Sequence, residues 1–278
     1  MAALLWSSRS IAGTVSVKKM PGVTVEIIPM FSDNYAYVVI DKETREAAIV
    51  DPGEGHPVVL RVKEMETQGL CRLTQLWCTH KHGDHCGGNE AFKLAFPSLQ
   101  LIGTKHEPIP ALTQGVTEGD AFSLGSTPVR TIFVPCHTAG HVAFVVGSGE
   151  DTMLFPGDTL FVGGCGRFFE GTGSQMLANM DRFAKELPPQ TRVYPAHEYT
   201  ESNYKFLANL DPEGCGAAYE EVKAKRSNGL VTVPTTIEKE LATNLFMKCR
   251  EARVQALVGT SGDPEATMNA LRQRKNNF

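Results

Sequence analysis

The residues most capable of chemistry are histidines and aspartates that each follow an apolar run. The densest group is Thr79-His80-Lys81-His82-Gly83-Asp84-His85, which places His80, His82, Asp84 and His85 in one short loop after the apolar stretch 73–78. Imidazole nitrogens and carboxylate oxygens bind zinc or iron at about 2.0–2.2 Å, and such a loop can turn several of them to one side. A loop this short cannot enclose two ions unaided. Three further candidates occupy equivalent positions: His137 after Ile132-Phe133-Val134-Pro135-Cys136, Asp158 after Leu154-Phe155-Pro156-Gly157, and His197 after Val193-Tyr194-Pro195-Ala196. A lone histidine behind a strand is usually a surface or hydrogen-bonded residue. Here five of the eight histidines, with two aspartates, fall at such ends, and strands ending in donors at a shared edge are what a metal cleft requires.

The elements that must carry these donors are legible as short apolar, β-branched runs at 23–28, 37–40, 47–50, 73–78, 99–102, 129–134, 142–146 and 153–155, which predict strands. Helical spacing predicts helices near 57–68, 89–95 and 175–187, the last with Met176, Leu177, Met180, Phe183 and Leu187 on one face. The mixture is a layered α/β arrangement. After about Tyr199 the strand signals nearly stop, and helices are expected at 217–225, 237–257 and 264–275 between Ser-Asn-Gly, Val-Pro and Ser-Gly-Asp-Pro turns. The composition therefore divides the chain into an N-terminal extension (1–21), a catalytic α/β domain (22–198) and a helical domain (199–278).

Bulk properties narrow the function. Charged residues make up 21% and hydrophobic ones 42%, ordinary globular values, and the net charge is −4, so there is no global basic field for nucleic acid. No apolar run approaches the roughly 18–20 residues that cross a bilayer; a soluble monomer without a membrane partner is expected. The seven cysteines (71, 78, 86, 136, 165, 215 and 249) show no CxxC pair, a pattern suited to a reducing compartment. Cys86 follows the histidine loop and is read as a packing residue. Residues 1–20 contain Arg9, Lys18, Lys19 and several serines but no acid. Two readings stay open there: a transit peptide directing the chain to the mitochondrial matrix, or a disordered tail. A product beginning at Met20 would be cytoplasmic.

The order HxHxDH, then His137 in Cys-His-Thr-Ala-Gly-His, Asp158 in Gly-Asp-Thr and His197 in Ala-His-Glu-Tyr resembles the metallo-β-lactamase superfamily. The resemblance implies an αββα sandwich and two divalent ions, zinc by default, with iron or manganese accepted by the same donors. It assigns one ion to His80, His82 and His137, the other to Asp84, His85 and His197, and makes Asp158 the bridge. Water activated between the ions would be the nucleophile, with Asp84 and Asp158 as the catalytic carboxylates. His141 would support a ligand rather than bind. Asp51, at a strand end, is read as orienting a ligand or as a simple turn residue.

Several other stretches are similar to the glyoxalase II family: Asp33-Asn34-Tyr35, Gly163 to Gly171, His197-Glu198-Tyr199-Thr200 with Asn203, and the Asp263-Pro264 helix ending in Leu271-Arg272-Gln273-Arg274-Lys275. This similarity covers about 23–275 and includes the helical segment. It implies hydrolysis of an S-(2-hydroxyacyl)glutathione, typically S-lactoylglutathione, to glutathione and lactate, the second step of methylglyoxal detoxification. Arg272 and Lys275, three residues apart on one helical face, would meet the glutathione carboxylates; alone, the pair also fits a solvated helix end complementing the dipole. Arg167, Phe169, Tyr199 and Asn203 are implied for the same pocket. Arg167 stands where the family usually has lysine, and Phe169 where a tyrosine is usual, which gives up a hydrogen bond worth about 0.5–1.5 kcal/mol. Two rival readings are a one-iron persulfide dioxygenase, which would use fewer donors and lack the helical segment, and a non-enzymatic relative, which would have lost donors.

Overall fold

The computed structural model describes residues 22–278; the expectations for the N-terminal extension lie outside them. Two six-stranded sheets face each other. The first contains β1 (Val23–Met30), β2 (Asn34–Asp41), β3 (Glu46–Val50), β4 (Arg72–Cys78), β5 (Gln100–Thr104) and β6 (Gln114–Val116) in chain order. The second has the order β14 (Thr235–Thr236), β13 (Arg192–Val193), β10 (Met153–Phe155), β9 (Val142–Val146), β8 (Thr127–Phe133), β7 (Ala121–Leu124). A two-residue hairpin, β11 (Leu160–Phe161) and β12 (Gly164–Cys165), stands apart from both.

The period-two alternation of a strand explains the layering. In β2, Tyr35, Tyr37 and Val39 point between the sheets, whereas Ala36, Val38 and Ile40 point to a second core. That outer core is closed by α1 (His56–Thr67) through Val58, Val59, Val62 and Met65, and by α3 (Asn89–Ala95) through Phe92. On the far side α4 (Gly173–Glu186) buries Met176, Leu177, Met180 and Phe183. Its start is fixed by a capping box between Thr172 and Gln175. Helix, sheet, sheet, helix is the resulting order, the expected αββα sandwich.

The chain after the sandwich is helical: α5 (Thr200–Leu210), α6 (Pro212–Ser227), α7 (Ile237–Thr243), α8 (Ala252–Val258) and α9 (Pro264–Asn276). Several details differ from the sequence expectation, and α5 lies outside every expected helix. The helix expected over 237–257 is three pieces, because Asn244 leaves helical geometry and its side chain accepts from Phe246 N–H, starting a short 3-10 turn. This segment also supplies β14, which pairs antiparallel with β13 through Arg192 and Thr236, so one edge of the second sheet comes from beyond residue 199. Among the described residues no helix is long and apolar enough to cross a membrane, and all seven cysteines are unpaired and buried.

Candidate metal centre and substrate cleft

The four loops singled out in the sequence meet at one edge of the sandwich. β4 delivers His80 and His82, and the single turn α2 (Gly83–Cys86) follows with Asp84 and His85. His137 lies between β8 and β9, Asp158 follows β10, and His197 follows β13. The last loop is docked onto the start of β2: Tyr35 N–H donates to Ala196 O at 2.8 Å and Glu198 N–H to Asp33 O at 2.8 Å.

The donor atoms face one another. His82 Nδ1 lies 3.0 Å from both His80 Nε2 and His137 Nε2. His85 Nε2 is 3.5 Å from Asp84 Oδ2 and 3.4 Å from Asp158 Oδ1, and His197 Nε2 is 3.4 Å from each of the same two oxygens. Asp158 Oδ2 turns the other way, 3.3 Å from His137 Nε2. Ligands tetrahedrally arranged about 2.0–2.1 Å from an ion stand about 3.3 Å apart, so these spacings suit divalent cations. Within the cluster His85 Nε2 and Asp158 Oδ1 are buried without a hydrogen-bond partner, the condition of atoms whose partner is a cation rather than a proton. The groupings His80/His82/His137 and Asp84/His85/His197 each lie within one ion's reach, and Asp158 belongs with His80 and His85.

Charge points the same way. Burial keeps His80 well below the usual imidazole range, reinforced by His85 and His141 beside it. Burial also opposes a charge on His85, yet Asp158, Asp51 and Asp84 outweigh it and hold that ring well above the usual value. His197 is likewise pushed up to about 10, burial being overcome by Asp158 and Asp84. Both carboxylates sit below the normal range because the facing imidazoles outweigh their burial. The cluster demands positive charge, which protons or metal ions can provide.

Outer hydrogen bonds aim the rings. His80 Nδ1 meets Thr79 Oγ1 at 3.0 Å, His85 Nδ1 meets Asp51 at 3.2 Å, His137 Nδ1 meets Arg167 O at 3.0 Å, and His197 Nδ1 meets Asp33 at 2.8 Å. Each leaves Nε2 for the centre. Asp51 also accepts from Thr79 N–H and Oγ1 at 2.8 and 2.7 Å while its backbone is left-handed, φ 47°. A non-glycine residue held there costs about 1 kcal/mol or more, so this is an orienting residue rather than an ordinary turn. His141 Nε2 accepts from Asp158 N–H at 3.2 Å, turning it away from ligation. Gly157 and Gly166 allow the close fit: a Cβ at Gly157 would lie 2.5 Å from Thr79 Oγ1, and one at Gly166 would lie 1.9 Å from Asp158 O.

A cleft of about 580 Å³ opens from this cluster. Its walls include His82, Asp84, His137, Asp158 and His197 as well as Arg167, Phe169, Tyr199, Asn203, Arg272 and Lys275. Tyr199 stacks on His197 at 4.5 Å, and Phe169 stands edge-on to His137 at 5.1 Å. Arg272 is 8% exposed; one guanidinium nitrogen donates to Cys165 O at 2.7 Å and Nε to Asn276 at 3.0 Å. Lys275 Nζ donates to Ser202 O and Oγ at 3.0 and 2.7 Å. Asn203 lines the cleft as well, and its amide donates to Val162 O at 3.1 Å and so also holds the β11–β12 turn.

Sequence reasoning did not single out Asp33, Glu107 or Glu170 as individual contributors. Asp33 orients His197, and Glu107 and Glu170 tie loops together behind the cluster. Their partners are distant in the chain: Asp33 and Glu170 fall within stretches similar to the glyoxalase II family, but nothing local assigns them these bonds, and no local pattern marks Glu107.

This fold is that of the metallo-β-lactamase superfamily: residues 31–197 match the family described as metallo-beta-lactamase superfamily. A metallo-β-lactamase from Staphylococcus aureus superposes with a TM-score of 0.62 over 92% of this chain and 72% of its own, at 18% identity, a likeness of fold. Residues 198–278 match the hydroxyacylglutathione hydrolase C-terminus. A hydroxyacylglutathione hydrolase of Cupriavidus taiwanensis is 43% identical over 91% of this chain and 98% of its own, and one of Synechococcus is 38% identical over 91% and 99%. The chain belongs to the hydroxyacylglutathione hydrolase family.

Proposed function

We infer that the protein hydrolyses the thioester of an S-(2-hydroxyacyl)glutathione, S-lactoylglutathione being the expected substrate, to glutathione and a 2-hydroxy acid. The observation that carries this reading is a cleft that opens from a cluster of seven potential metal donors, five of which line it, and whose walls also carry Arg167, Arg272 and Lys275. Two divalent ions bound there, zinc by default, would supply Lewis acidity, lowering the pKa of water toward about 7 and polarising a carbonyl. His80, His82 and His137 would hold one, Asp84, His85 and His197 the other, with Asp158 shared.

The chain's own residues do the rest. Arg272 and Lys275 attract the peptide carboxylates and fix the thiol carrier, so that its sulfur-bound carbonyl reaches the donor cluster. Tyr199 and Phe169 flank the entry and limit water around the thioester. Asp158 and Asp84, kept ionised by the imidazoles around them, can accept a hydrogen bond from the attacking water. The C–S bond breaks as the C–O bond forms, and the proton lost by water ends on the thiol. No serine or cysteine nucleophile is required, which suits seven cysteines that are all buried. Monomeric action in the cytoplasm or in the mitochondrial matrix fits this reading.

The test is hydrolysis of S-lactoylglutathione followed by loss of thioester absorbance. Chelation or His82→Ala should lower kcat/KM by about a hundredfold or more; undiminished turnover in either case would refute the metal mechanism.

A further inference from the structure

Four of the five donor histidines are steered by a hydrogen bond on the ring nitrogen facing away from the cluster. His82 is the exception among the described residues: its bonds are made by Nδ1, the atom that faces the centre. Its ring touches Phe169 edge-on at 5.8 Å, a contact that sets no direction for a lone pair. The place of His82 must therefore be set by its backbone.

That backbone is anchored by a carboxylate. Glu107, 8% exposed, follows β5 and reaches under the histidine loop. One oxygen accepts from Lys81 N–H, between His80 and His82, at 2.9 Å; the other accepts from Gly140 N–H, between His137 and His141, at 2.7 Å. The approach is close, since a Cβ on Gly140 would lie 2.5 Å from Glu107 Cγ. Glu170 repeats the link nearer the surface, pairing with Lys81 Nζ at 2.6 Å and accepting from Ala139 N–H at 2.8 Å. It is about one-third exposed and so more screened. Neither carboxylate bonds to Asp84, His85 or His197.

We propose that Glu107 is a positioning residue for the His80/His82/His137 site: its buried carboxylate clamps the two loops that supply those three imidazoles and substitutes for the outer hydrogen bond that His82 lacks. The inference rests on the binuclear reading above and adds an asymmetry between the two sites. Losing an outer partner of a metal ligand typically lowers affinity 10–100-fold; here the loss should fall on one ion alone.

The experiment is zinc titration of the full chain in competition with a chromophoric chelator, with no turnover involved. Wild-type protein should hold two equivalents; fewer would count against the binuclear reading itself and take this inference with it. Glu107→Gln, which keeps the volume but can accept only one of the two N–H groups, should release one equivalent at about tenfold lower chelator strength and the second as in wild type. To locate the loss, the same change is made in two backgrounds. In His85→Ala, where the three-histidine site remains, Glu107→Gln should weaken the remaining ion; in His80→Ala, where the other site remains, it should not. Equal weakening in both backgrounds, weakening in neither, or weakening in the His80→Ala background alone would overturn the proposal. A general loss of stability would not produce the selective pattern.

Discussion

His80 and His85 stand five positions apart, both fully buried, yet they shift in opposite directions: burial, reinforced by His85 and His141, moves His80 well below the usual imidazole range, while Asp158, Asp51 and Asp84 outweigh burial and move His85 well above it. Environment rather than residue type decides the role, which is why spacing alone identified the donors and not their protonation. The donors were legible because HxHxDH concentrates them locally. The contacts of Asp33 and Glu107 were not, since Asp33, though inside a stretch the sequence marked, acts on a residue 164 positions away and Glu107 on residues 26 and 33 away. The same logic applies to Lys275. Burial, then the nearby Arg272 and Arg167 guanidinium groups, push its ammonium down to about 8. Deprotonation as the pH rises through that value removes a cation from the part of the cleft proposed to bind the substrate carboxylates. KM for S-lactoylglutathione should therefore climb by about tenfold between about pH 7 and about pH 9.5, while Lys275→Arg should hold KM level across that window. Arg272→Ala should raise KM about tenfold or more at neutral pH with metal content unchanged, a charged hydrogen bond being worth about 1.5–3 kcal/mol. Steady-state KM and metal analysis check both.

Most of the longer elements could be read from the sequence, α5 excepted, and the two-residue strands could not. The strands at 142–146 and 153–155 have the expected bounds because apolar β-branched runs between turn signals leave little choice. β13, β14 and the β11–β12 hairpin are two residues per strand, too short to display a period, and they exist through tertiary bonds. Asn244 and Glu240 hold that hairpin: Asn244 donates to Gly164 O at 3.1 Å, and Glu240 accepts from Gly163 N–H at 2.8 Å. This tie between helical segment and cleft explains why a helix predicted through residue 244 is interrupted there. A comparable joint links the sheets. Asp41, at the end of β2, accepts from Thr44 N–H and Oγ1, Ser126 Oγ and Thr127 Oγ1 at 2.6–2.9 Å. Burial would raise its pKa, but these donors outweigh it and hold the carboxyl at about 2, below its ordinary 3.8. The stabilisation is therefore complete above about pH 4 and lost as pH falls through about 2. Asp41→Ala should cost about 2–4 kcal/mol in urea unfolding at neutral pH and leave zinc stoichiometry untouched.

For the whole molecule, a net charge of −4 offers an anionic substrate no general attraction, so on the proposed reading recognition falls to the local cations Arg167, Arg272 and Lys275 of the cleft. Ions held as proposed would act on the fold as well as on the reaction. Their donors come from both sheets, and a ligand bound by the native state alone stabilises it by about 2.7 kcal/mol at a hundred times its Kd. Chelation should accordingly lower the midpoint of thermal unfolding by several degrees, and zinc should restore it; an unchanged midpoint would mean that the cluster holds no ion. The most direct test of the account is anomalous diffraction from crystals of the zinc-loaded protein. It should give two peaks inside the cluster, one among His80, His82 and His137 and the other among Asp84, His85 and His197, both in contact with Asp158. A single peak, or peaks outside these side chains, would contradict the account.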